Sequence, residues 1–95
     1  MLSIEEKKKL NNRLRRVIGQ VEAVGRMIDQ EASCVDVLMQ LSAATGALSR
    51  VGQLVLDEHL QTSLAEAAAS DTPAQRDEKL AELIELFRKY GGVLE

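Results

Sequence analysis

Cys34 and His59 are the one thiol and the one imidazole in the chain. Both are side chains that hold soft metal ions, and a thiolate also attacks electrophiles. They stand 25 residues apart in sequence. If one helix carries both, about 37 Å separates them at about 1.5 Å per residue, so they cannot meet within a chain. They can meet between chains. A helix paired antiparallel with its own copy about a two-fold between Gly46 and Ala47 places Cys34 of one chain beside His59 of the other, twice per dimer. The segment at that crossing, Ala43-Ala-Thr-Gly-Ala47, is the smallest run of side chains nearby and admits a close helix approach. On spacing alone, two plainer roles stay open: Cys34 as a small buried hydrophobe, and His59, flanked by Asp57 and Glu58, as a solvated surface residue. No Ser-His-Asp arrangement, phosphate-cradling glycine loop or paired-carboxylate cleft accompanies them, so the chain does not read as an enzyme.

Three helical patterns must position these residues. Ser3-Ile-Glu-Glu6 reads as a capping box. Leu10, Leu14, Val17, Val21, Val24 and Ile28 then recur on one helical stripe, predicting a first helix over about residues 4–30. Ser33 with Asp36 opens a second pattern, carried by Val35, Leu38, Leu41, Thr45, Leu48, Val51 and Val55 to about residue 69. Gly46 and Gly52 lie inside it, each costing up to about 1 kcal/mol relative to Ala. Such a helix spans about 50 Å, too long for one small globule. Thr72-Pro73-Ala-Gln75 starts a third helix over about residues 73–90, with Leu80, Leu83, Ile84 and Phe87 as its apolar face and Gly91-Gly92 as its stop. The fold class is therefore all-α, a single domain of three helices around an unusually long central one. The core must be aliphatic, because Phe87 and Tyr90 are the only aromatic residues. A chain of 95 residues buries little core alone, which favours oligomerisation.

Net charge is −3, but its distribution is uneven. Residues 1–30 carry seven Lys/Arg against four acids, a balance of +3, and the remainder carries −6. No acid interrupts the stretch from Lys7 to Arg16. On a helical wheel Lys9, Arg13, Arg16 and Gln20 flank one side of the apolar stripe, and Lys8 and Arg15 the other. Such a face suits a phosphate backbone, from which Lys and Arg release counterions, although a solvated charge run looks the same. With no inserted recognition helix and no stacking aromatics here, readout would lean on phosphates and shape. One cysteine, no apolar leader and no run of about 20 apolar residues predict a cytoplasmic protein with no membrane partner.

Together, Arg13-Leu-Arg-Arg-Val-Ile-Gly-Gln-Val21, Arg26-Met-Ile28, Cys34-Val-Asp-Val-Leu38, Gln40-Leu-Ser-Ala43, Ala47-Leu-Ser-Arg-Val-Gly52 and Asp57-Glu-His-Leu60 resemble the copper-, nickel/cobalt- and formaldehyde-responsive repressors of the CsoR/RcnR/FrmR type. The resemblance covers residues 5 to about 64 closely and the third helix loosely. It implies an antiparallel dimer, a tetramer of two such dimers, and release of operator double-stranded DNA when an effector fills the Cys/His site. DNA contact is implied for Arg13 and Arg50, with Gln20 in the same stretch, and sensing for Cys34, His59 and the residue four beyond it, Ser63.

Ser63 is the departure. Copper-sensing relatives resemble Cys-His-Cys across these positions, nickel/cobalt relatives add an N-terminal His, and the formaldehyde branch pairs its Cys with an N-terminal Pro amine. This chain has Ser at the third position and begins Met-Leu. Persulfide sensing needs a second Cys, which is absent. A hydroxyl is a poor ligand for Cu(I), so two ligands remain, enough for linear Cu(I) but short of a closed tetrahedral Zn(II) site. Two repressor mechanisms follow. In one, Cys34 and His59 bind a soft ion such as Cu(I). In the other, Cys34 is a nucleophile for formaldehyde or another electrophile, with His59 as its base. A third reading, from another class, is a helical interaction module with no DNA role.

Overall fold

A computed structural model describes the backbone of residues 2–94 and the side chains of residues 2–92. Three α-helices run in order, α1 (Ile4–Asp29), α2 (Cys34–Ala68) and α3 (Pro73–Tyr90), followed by a short 3₁₀ turn over Gly91–Leu94. The described residues contain no strand. They divide into two compact units, Leu2–Val51 and a second from Gly52 onward.

In the first unit the capping box at α1 closes as its chemistry requires. The Glu6 backbone N–H donates to Ser3 Oγ at 3.1 Å, and the Ser3 N–H donates back to Glu6 Oε1 at 3.4 Å. The other end of α1 is a Schellman motif without glycine. The Ala32 N–H reaches Met27 O at 2.9 Å and the Glu31 N–H reaches Ile28 O at 3.1 Å, while Glu31 sits at φ 56°. Ser33 Oγ then accepts the Asp36 N–H at 3.2 Å and starts α2 with Cys34 as its first residue.

Val17, Val24, Ala44 and Val51 are the buried apolar residues of this unit. The expected α1 stripe needs correcting at its C-terminal end. Val21 and Ile28 are more than half exposed, and the inward positions after Val17 are Gln20, Val24 and Met27. On α2, Val35, Leu38, Leu41 and Leu48 all lie open, while Ala44 and Val51 are buried. Two apolar faces adjoin on this helix, and the chain covers only one of them.

In the second unit Ala67 and Leu83 are buried, with Ser63 beside them. Thr72 caps α3 by accepting the Gln75 N–H at 3.2 Å, and Pro73 occupies the first turn, where its missing N–H costs nothing. The Gln75 side chain reaches back to the Asp71 N–H at 3.2 Å, one residue before the cap, so the box is offset from its usual register. Lys79 Nζ on α3 pairs with Glu66 Oε2 near the end of α2 at 3.1 Å. Gly91 does not end α3 in the left-handed region. It stays right-handed at φ −59°, ψ −25°, and the chain tightens into the 3₁₀ turn, which satisfies the final carbonyls with shorter-range bonds.

Candidate functional site

The basic side chains form the first candidate surface. Lys8, Lys9, Arg13, Arg15 and Arg16 are exposed along α1, and Arg50 is exposed on α2 of the same unit. Arg15 Nη1 donates to Asn12 Oδ1 at 3.0 Å. Gln20 is placed differently from its expected outward flank. It is half-buried, and its Oε1 is enclosed without a hydrogen-bond donor. Position 20 lies three residues after Val17 and four before Val24, both buried, so the helical period carries Gln20 onto the covered face.

Cys34 opens α2 with its thiol exposed. A thiolate is the form that binds metal or attacks carbon. His59 is exposed in the second unit. Ser63, one turn on, is 8% exposed, and its Oγ lies 3.4 Å from His59 Nε2. Gly46 is exposed and Ala47 half-buried, and a Cβ added at Gly46 would meet nothing within 4 Å.

Beside His59, a cleft of about 430 Å³ is lined by Gly52, Val55, Leu56, Leu86 and Tyr90 together with the imidazole itself. Leu86 and Tyr90 escaped the apolar face expected for α3. Their signal is the spacing Leu83, Leu86, Tyr90, three then four residues, which runs beside the Leu80–Ile84–Phe87 pattern. Among the described residues, no group of three or more His, Cys, Asp or Glu side chains could hold a metal ion within the chain. Met1 lies outside the described residues. No helix among them is long and apolar enough to cross a membrane.

Residues 6–89, nearly the whole chain, match the family model of the metal-sensitive transcriptional repressors. The chain belongs to this family. Its members are transcriptional repressors and not enzymes. The repressor is 46% identical over 78 residues to the copper-sensing transcriptional repressor RicR of Mycobacterium tuberculosis, covering 82% of this chain and 80% of that one. Its fold resembles that of the nickel-responsive transcriptional regulator InrS, with a TM-score of 0.81 and 37% identity over 95% of this chain and 98% of the other. It also resembles the copper-sensing repressor CsoR with Cu(I) from Geobacillus thermodenitrificans, with a TM-score of 0.79 and 30% identity over 96% and 92% of the two chains. The two solved structures share this fold while responding, by their names, to different metals.

Proposed function

We propose that this repressor binds operator DNA through the basic face of α1 together with Arg50, and releases it when Cu(I) bridges Cys34 of one chain and His59 of a second. Lys8, Lys9, Arg13, Arg15 and Arg16 supply phosphate contacts, while Gln20, half-buried on the covered face of the same helix, is not among them. The subunits pair as an antiparallel dimer and assemble further into a tetramer.

One observation carries this reading. Positions 34, 38, 41, 45, 48, 52, 55 and 59 of α2 alternate by four and three residues, the interval of a helix-pairing seam, and all but the half-buried Gly52 are exposed in the single chain. The order of intervals is the same read in either direction. An antiparallel copy crossing between Gly46 and Ala47 therefore sets Thr45 opposite Leu48, Leu41 opposite Gly52, Leu38 opposite Val55 and Cys34 opposite His59. The cleft beside His59 shares Gly52 and Val55 with this seam, so the copy's Leu38 and Leu41 would fill it. One thiolate and one imidazole suit a soft ion of low coordination number, and the likeness to RicR and to Cu(I)-bound CsoR supports copper.

The decisive experiment is fluorescence anisotropy on operator DNA, titrating Cu(I), Ni(II), Co(II), Zn(II) and formaldehyde in turn. Cu(I) is expected to release the DNA. Cys34→Ala should keep DNA affinity within about two-fold and lose the response; to move a bound population decisively an effector must favour the released state by about 5 kcal/mol. A Cys34→Ala protein that still responds to Cu(I) overturns the site. Release by Ni(II) or formaldehyde alone overturns the choice of copper.

A further inference from the structure

His59 and Ser63 lie four residues apart on α2, and the 3.4 Å contact joins Ser63 Oγ to the ring at Nε2. Ser63 is buried while His59 is exposed. Three features count against Ser63 as a metal ligand: its hydroxyl is hard where Cu(I) is soft, it is withdrawn from the surface, and it already faces the imidazole. An imidazole ligates through one nitrogen, and the partner of its other nitrogen decides which one is free.

We infer that Ser63 is a positioning residue for the sensing histidine. Its Oγ accepts the Nε2–H of His59, fixes that tautomer and the ring orientation, and leaves the lone pair of Nδ1 as the ligand atom. The inference rests on the proposed role of His59 in effector binding. It turns the departure at position 63 into a specificity device: the donor set stops at one thiolate and one imidazole nitrogen, which serves Cu(I) and leaves a four-ligand ion such as Zn(II) underfilled.

His59 is the one histidine in the chain, so its ring nitrogens give unambiguous ¹⁵N resonances. In the metal-free protein at alkaline pH, where imidazoles are neutral, the Nε2–H tautomer should predominate in the wild type and in Ser63→Thr. Ser63→Ala should shift toward a mixture of tautomers. Adding Cu(I) should move the Nδ1 resonance and leave Nε2 protonated. Competition with a chromophoric Cu(I) chelator should show an affinity loss of about ten-fold in Ser63→Ala, restored in Ser63→Thr. A wild type in the Nδ1–H tautomer, or identical spectra for wild type and Ser63→Ala, overturns the inference. A histidine that ignores Cu(I) while its tautomer still depends on Ser63 overturns the metal reading instead, and upholds the hold of Ser63 on the ring.

Discussion

At Glu31 a charged side chain occupies the position where a helix C-terminus usually places glycine. The left-handed backbone at φ 56° costs a residue with a Cβ about 1 kcal/mol, and glycine enters it freely. The turn nevertheless completes both of its characteristic hydrogen bonds, which offset the cost of that conformation. Glu31→Gly should therefore raise unfolding stability by about 0.5–1 kcal/mol, read from the urea midpoint, with helicity unchanged by circular dichroism. A loss of stability would mean that the Glu31 side chain makes a contribution larger than its backbone strain. Nothing in the residues between Gln30 and Ser33 announces this conformation, because neither Gly nor Asn stands there. The same holds for His59 and Ser63. The family resemblance singles out both as expected sensing positions, but the contact between them is visible only in the structure.

At the scale of the element, helix bounds were legible to within a residue, but the backbone geometry that closes each helix was not. Ser3 with Glu6, and Thr72 with Pro73 and Gln75, are side chains that hydrogen-bond or pre-shape the first turn, so the sequence carries the signal directly. The ends at Glu31 and Gly91 are settled by backbone dihedrals, which side-chain type biases only weakly. Apolar periodicity has its own limit. It detects that Leu38, Leu41 and Leu48 share a face, but not whether the chain itself or a copy covers that face. Between α2 and α3, the Lys79–Glu66 pair offers a test that periodicity cannot. The hydrogen bond and the charge of Glu66, with help from Glu82, hold the Lys79 ammonium above its ordinary 10.5. A cation with a raised folded value stabilises fully below its unfolded value, and the contribution disappears as pH rises through the folded one. Thermal stability followed above about pH 10 should fall more steeply in the wild type than in Glu66→Gln. Parallel curves would mean that the pair adds nothing to the docking of α3.

The whole molecule joins two surfaces with different physical demands. On the proposed reading the basic face of α1 would act on DNA through long-range, screened charge, so its contribution is measured by salt. Arg13→Ala should weaken operator binding at every sequence and flatten the slope of log affinity against log salt by about 0.9 if Arg13 neutralises one phosphate. The proposed α2 seam would act through contact and desolvation, so its contribution is measured by complementarity. In the antiparallel register Leu38 meets Val55 of the copy, and each pairing occurs twice per dimer. Leu38→Lys puts two cations against apolar neighbours and should dissociate the dimer in sedimentation equilibrium. Val55→Glu alone should do the same with the opposite charge. The double variant sets a lysine against a glutamate across both pairings and should recover association that neither single variant retains, because only a direct contact couples two substitutions in this way. Recovery fails if the helices pair in parallel or in another register, since the two introduced charges would then never meet. With it would fall the juxtaposition of Cys34 and His59, which depends on the same two-fold between Gly46 and Ala47.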